Sequence, residues 1–164
     1  MHLEEFFLQG MDRGIRPPLD GYSWLPHLNL GGSSKSLPGR PVNLDLPDWN
    51  AETDPIPYSD GGVGLIWALH FFEHIRNFIG VLQECERVLT TGGLLNVCVP
   101  YGTCHMAVQD CTHVRFFNED TWKELFVNDY YRPYGRVSTL EVRTNVIMGV
   151  KGTNLALLTQ LVKR

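Results

Sequence analysis

The chain has no excess of positive charge: 14 lysines and arginines stand against 18 aspartates and glutamates, for a formal net charge of −4. Binding to a nucleic-acid backbone needs the opposite balance, so no polynucleotide partner is expected. Long apolar runs are also lacking, and none approaches the ~20 residues that a bilayer-spanning helix requires. The opening MHLEEFFLQGMDRG carries acids where an export signal has a basic flank. Cysteine is scarce and irregular. Cys85, Cys98, Cys104 and Cys111 form no disulfide framework, so a reducing, cytoplasmic compartment is expected. Cys98, Cys104, His105, Cys111 and His113 are close in sequence, but no Cys-x-x-Cys pair joins them and Cys98 falls in an apolar strand. No metal is therefore expected. Internal repeats and low-complexity segments are absent, which excludes a solenoid.

What is present is one domain's worth of sequence, 164 residues with 43% hydrophobic content, enough to bury a core. The stretch HLNLGGSSKSLPGRPVNLDL, residues 27–46, reads as a strand, a glycine-serine turn and a second strand tipped by Asp45. Without side chains, Gly31 and Gly32 let backbone approach a ligand, and an acid at the next strand's end can accept from ribose hydroxyls. Gly-Gly-Ser-Ser is also an ordinary tight turn. The interval from Gly31 to Asp45 is shorter than the ~20 residues of a dinucleotide fingerprint, leaves no room for a full crossover helix, and contains no G-x-G-x-x-G. A nicotinamide dinucleotide is disfavoured.

Before that stretch, Leu3–Gln9 reads as a short helix closed by Gly10. After it, residues 48–62 are polar and turn-rich. Leu65–Leu69 is a strand buried on both faces. Phe78, Val81, Leu82, Cys85, Val88 and Leu89 recur at helical spacing, and Thr90–Gly93 stops that helix before an apolar strand, Leu94–Val99. Strand, helix and strand in this order imply parallel pairing with a right-handed crossover. Asn118 is a helix N-cap with Thr121 at the third helical position. Two alternating stretches, Gly135–Val142 and Leu155–Val162, predict a terminal antiparallel hairpin. Phe116, Phe117 and Trp122 are expected in the core, and Glu73 and His74 in a structural role.

Five pieces of this pattern, in order, resemble the class I S-adenosylmethionine-dependent methyltransferases, in their small predicted branch. They are LNLGG, VNLDL, IPYSDGGVGLIWALHFFEHI, LQECERVLTTGGLLNVCVP and DCTHVRFFNEDTW. The resemblance implies an α/β, Rossmann-like sandwich, with a mostly parallel sheet and a C-terminal antiparallel hairpin. It implies a single domain over 1–164: an N-terminal extension at 1–27, a cofactor-binding core at 28–126 and the hairpin at 135–164. The implied cofactor is S-adenosyl-L-methionine, held by Leu30, Gly31, Gly32, Ser33, Asp45, Leu46, Glu52, Asp54, Ile56 and His70. In that reading the amides of Gly31 to Ser33 face the amino-acid end and Asp45 the ribose. Glu52 or Asp54 meets the adenine amino group, and Ile56 or Tyr58 packs on the ring. His70 and His113 are the candidate catalytic residues, by residue type. Asp110, Thr112, His113 and Arg115 either organise the loop after the fifth strand or line the acceptor pocket. The expected acceptor is a small-molecule or glycan-type hydroxyl, and a homodimer or larger protein partner is expected to complete its pocket. Ser33 and Gly64 stand where the family usually has another glycine and an acid. These departures carry the alternative expectation, a non-catalytic methyltransferase-like module that acts through protein contacts.

Overall fold

A computed structural model describes residues 24–32, 37, 40–126, 138–149 and 154–164. The helix and cap expected at Leu3–Gly10 and the residue Ser33 lie outside the described residues. β1 (His27–Leu30), β2 (Val42–Leu44), β3 (Val63–Leu69) and β4 (Leu89–Pro100) are mutually parallel. β5 (Leu140–Gly149) and β6 (Leu155–Lys163) close the sheet as an antiparallel pair, β6 beside β4. The order across the sheet is β2-β1-β3-β4-β6-β5. The chain therefore winds outward from β1 to β2, then returns and winds the other way through β3 and β4. The switch point lies between β1 and β3, which is where an open parallel sheet presents a crevice at its strand ends.

Two of these strands differ from the expected bounds. β4 begins at Leu89, which pairs with Val63, and the register then slips so that Leu94 faces Leu65. Residues 90–93, with Gly92 at φ +79, form an irregularity inside the strand and not a turn before it. The first hairpin strand was expected at Gly135–Val142. It runs instead over Leu140–Gly149, because its pairing with β6, from Leu140↔Lys163 to Gly149↔Leu155, fixes the register. Residues 135–137 lie outside the described residues.

Alternation along β3 supplies both layers of the core. Ile66 and Ala68 join the larger cluster with Leu28, Leu30 and Leu82, while Leu65 and Trp67 join a second cluster with Leu94, Met148 and Leu158. Helix α1 (Phe78–Val88) buries Phe78, Val81, Leu82, Cys85 and Val88, the face that the periodicity marks. A five-residue helix α2 (His105–Gln109) follows β4. Helix α3 (Glu119–Phe126) starts from a reciprocal cap: Thr121 N–H donates to Asn118 Oδ1 at 3.0 Å, and Asn118 N–H donates to Thr121 Oγ1 at 3.1 Å. Trp122 and Phe117 are core residues as expected, with ring centroids 5.8 Å apart. Phe116 is not: it is 56% exposed, because its neighbour Phe117 turns inward and adjacent residues of an extended segment face opposite ways. Where β4 and β6 pair, the buried Asn96 Oδ1 accepts from Gln160 Nε2 at 2.8 Å, a polar side-chain contact inside the sheet. No helix among the described residues is long and apolar enough to cross a membrane.

Candidate functional site

The carboxyl ends of β1, β2 and β3 surround one cavity of about 440 Å³, lined by Gly31, Asp45, Leu46, Trp49, Asn50, Ala51, Glu52, His70, Phe71, His74 and Ile75. This volume is in the range of small-molecule sites, about 300–1,000 Å³. Gly31 and Asp45, separated in sequence by the loop, meet here because β1 and β2 pair through Leu30↔Leu44.

Gly31 has φ +63, and a Cβ placed on it would lie 2.6 Å from Phe71 Cδ2. The position is open only to glycine. Its N–H donates to the Leu44 carbonyl at 2.9 Å, so this amide ties β1 to β2 and is not free for a ligand carboxylate, as the sequence had suggested. At Gly32 a Cβ would overlap the Asn29 side chain, whose Nδ2 donates to Asn43 Oδ1 at 3.0 Å. Asp45 sits one residue past β2. Its Oδ1 accepts the Leu46 N–H at 2.8 Å, and its Oδ2 makes no hydrogen bond to the described residues.

Of the other expected cofactor residues, Leu46, Glu52 and His70 line the cavity. Glu52 spends both carboxylate oxygens on backbone: Oε1 accepts from Arg76 N–H at 2.6 Å and Oε2 from Asn77 N–H at 2.8 Å, at the start of α1. Asp54 lies on a neighbouring depression shared with Thr53, Asn77 and Glu84. It accepts from Asn50 N–H and Thr53 Oγ1, and these bonds hold its carboxyl below the usual range. Leu30 and Ile56 are core residues, at 0% and 1% exposure, and Tyr58 packs against that core. Trp49 and Phe71 were not foreseen. Trp49 stands in the polar 48–62 stretch, where an isolated tryptophan among turn residues was the available signal. Its ring stacks toward Phe71, centroids 6.4 Å apart, and its Nε1 donates to the Pro55 carbonyl.

His70 ends β3 in a left-handed conformation, φ +52. Its N–H donates to the Cys98 carbonyl, its Nδ1 lies 3.1 Å from Glu73 Oε1, and its Nε2 lies 4.0 Å from Cys98 Sγ. Burial disfavours the charged ring, but hydrogen bonds to Cys98 and Glu73 outweigh it and push the pKa up to about 10. With Nδ1 facing the Glu73 carboxylate, the ring is placed to donate a hydrogen bond there.

The segment after β4 folds back along the segment after β3. Val114 N–H donates to the Glu73 carbonyl at 2.8 Å, Thr112 Oγ1 meets His74 Nδ1 at 2.9 Å, and Arg115 Nη2 donates to the Arg76 carbonyl at 3.1 Å. The Arg115 guanidinium also lies 4.9 Å over the Phe78 ring. His113 is held in this seam, 4.7 Å from His74 by ring centroids, and does not line the cavity. The four thiols are free; Cys104 donates to the Leu155 carbonyl and Cys111 is exposed.

The family model described as "Methyltransferase domain" matches residues 34–97, a span that holds Asp45, β3 and α1. Among solved structures, a chain of the complex between the Haloferax volcanii Trm112 methyltransferase activator and a protein described as a methyltransferase superposes with TM-score 0.64 at 13% identity, covering 98% of this chain and 91% of that one. The YcgJ protein of Bacillus subtilis gives 0.63 at 13% identity, covering 99% of each chain. An S-adenosylmethionine-dependent methyltransferase from Mesorhizobium loti gives 0.57 at 11%, covering 94% and 96%. At such identities the likeness establishes the fold. It bears out the expected Rossmann-like sandwich, with its mostly parallel sheet closed by an antiparallel pair. No curated protein sequence matches.

Proposed function

Taking the class I S-adenosylmethionine-dependent methyltransferases as the family whose fold and domain model this chain matches, we propose that it transfers a methyl group from S-adenosylmethionine to a small-molecule or glycan-type hydroxyl. One observation carries the reading: Gly31 and Asp45 share a single open cavity at the strand ends beside the sheet's switch point. S-adenosylmethionine supplies an activated methyl carbon, open to in-line displacement by an acceptor oxygen.

The residues present fit such a ligand. Gly31 keeps clear a space that any side chain would obstruct against Phe71. Asp45 Oδ2 accepts from ribose hydroxyls, a charge-assisted bond, with Leu46 as apolar contact beside it. Glu52 keeps the start of α1 against the cavity wall, and so acts by positioning. His70 donates at the acceptor side. Positioning supplies most of the acceleration, and the proton displaced from the acceptor hydroxyl leaves to water or a base where the cavity opens at the surface. The alternative of a non-catalytic module expects a collapsed or occupied pocket; among the described residues the cavity is not collapsed.

Calorimetry with S-adenosylmethionine and S-adenosylhomocysteine tests this directly. Micromolar binding is expected, weakened ~10–100-fold in Asp45→Ala through the lost charge-assisted hydrogen bond, with the melting temperature unchanged. Absence of binding to the wild-type protein overturns the proposal. The acceptor side opens at the surface, and we infer that a second copy or a larger protein completes it. The activator complex of the Haloferax neighbour is consistent with this. Light scattering on active protein should show more than a monomer; a fully active monomer would refute it.

A further inference from the structure

Three side chains in the seam between the post-β3 and post-β4 segments have one ligand-type atom each within 4.8 Å of the others: Glu73, His74 and His113. Their surroundings prepare each of them to donate a lone pair. His113 Nδ1 lies 2.9 Å from the Ala107 carbonyl oxygen. A carbonyl only accepts, so the ring proton is on Nδ1 and Nε2 is left unprotonated. His74 Nδ1 lies 2.9 Å from Thr112 Oγ1, and that hydroxyl lies 2.6 Å from Asp110 Oδ1. The carboxylate takes the hydroxyl proton, so Thr112 Oγ1 accepts from His74 Nδ1, and the lone pair of His74 is again on Nε2.

Glu73 supplies the independent observation. It is 1% exposed, its Oε1 is engaged by His70, and its buried Oε2 has no hydrogen-bond partner among the described residues. An unsatisfied buried carboxylate oxygen is costly, so a polar partner at that atom is strongly favoured. Asp110 Oδ2, 3.8 Å from His113 Nε2, is too distant for a hydrogen bond but adds negative charge.

We propose that Glu73 Oε2, His74 Nε2 and His113 Nε2 form a binding site for a divalent transition metal ion of zinc type. Two imidazoles and one carboxylate make a borderline donor set, and three protein ligands leave a coordination position open. Bonds of about 2.0–2.1 Å place tetrahedral ligand atoms about 3.4 Å apart, so the three draw together on binding. Ala107 and the Thr112–Asp110 pair are the outer partners that such a site uses to fix imidazole tautomers. His74 also lines the cavity, so the ion sits in its wall, where water or an acceptor oxygen can complete the coordination. The cysteines weighed from the sequence take no part.

The test uses the full chain, stripped with chelator and titrated with Zn²⁺ by calorimetry and with Co²⁺ by visible absorption. One ion per chain is expected, with the Co²⁺ bands of a four- or five-coordinate nitrogen-oxygen site. Glu73→Gln and His113→Ala should weaken binding ~100-fold or more, and Thr112→Val, which removes only the partner of His74, ~10–100-fold. Cys111→Ser should leave it unchanged. Thr112 is exposed, so its variant stays informative if the buried Glu73 variant fails to fold. No saturable uptake by the wild-type protein, undiminished uptake by Thr112→Val and His113→Ala, or loss in Cys111→Ser each overturns the site. S-adenosylhomocysteine binding by the chelator-treated sample separates this outcome from that of the methyl-transfer reading.

Discussion

Gly31→Val is expected to destabilise the protein by about 2–5 kcal/mol and to abolish cofactor binding. Two costs combine. A left-handed backbone at φ +63 disfavours a side-chain-bearing residue by about 1–2 kcal/mol, more for a branched one. The new Cβ would also lie 2.6 Å from the Phe71 ring, and overpacking of this kind costs about 1–3 kcal/mol. Phe71 lines the cavity and faces Trp49, so relief by moving that ring deforms the site. Gly61→Ala is the matched control. Gly61 has nearly the same backbone, φ +68, but its Cβ would find only Thr90 Cα at 4.0 Å. It should cost about 1 kcal/mol and leave cofactor affinity intact. Urea denaturation and calorimetry on both variants check the contrast; equal losses in both would show that strain alone, without the Phe71 contact, governs the turn.

Arg87→Met is expected to cost about 2–3 kcal/mol at neutral pH. Its guanidinium binds Glu84 through Nε and Nη2 at 2.8 Å each, the Ile56 and Tyr58 carbonyls at 2.9 Å, and Asp60 at 2.8 Å. Glu84 in turn accepts the Ile56 N–H. The loop that leads into β3 is thus fastened to α1 by one fork. The Asp60 contact carries little, since that side chain is 81% exposed. Most of the loss comes from the bonds given up by Glu84 and the Tyr58 carbonyl, since the Ile56 carbonyl keeps the Tyr58 N–H and Glu84 Oε2 keeps the Ile56 N–H. Arg87→Lys should recover less than half, because an ammonium cannot reproduce the fork. The hydrogen bond from Arg87 holds the Glu84 carboxyl below its ordinary value of 4.5. Its contribution is therefore complete above that value and is lost as pH falls through the lowered one. The stability gap between wild type and Arg87→Met should narrow in acid, and a gap that widens would contradict this account.

Local signals were enough for β3, α1 and the cap of α3. The continuous apolar run of 65–69, the helical spacing from Phe78 to Val88, and the Asn118–Thr121 pair are each complete within a dozen residues. β5 was misplaced because its burial alternates poorly along Leu140–Gly149; its register depends on β6, a partner later in the chain. The cavity was legible at the strand ends, where Gly31 and Asp45 come together to line it. It was not legible where it rests on side chains meeting across segments. Glu52 looked like a ligand contact, but its oxygens are taken by amides 24 and 25 residues away. The burial of Glu73 beside His113 arises only when the post-β3 and post-β4 segments lie together, and no spacing in either one encodes it.

The two margins of the sheet bear on how the protein behaves in concentrated solution. β2 ends one side after three residues, too short to template another chain. The other side is β5, ten residues long, and among the described residues it has no strand beyond it. A long bare margin of this kind invites edge-to-edge aggregation. Here its pairing slips between Val142 and Thr144, which breaks the flat ladder, and Glu141, Arg143 and Asn145 interleave charge and polarity along it. The strand that closes the fold also carries the features that keep neighbouring molecules from extending it.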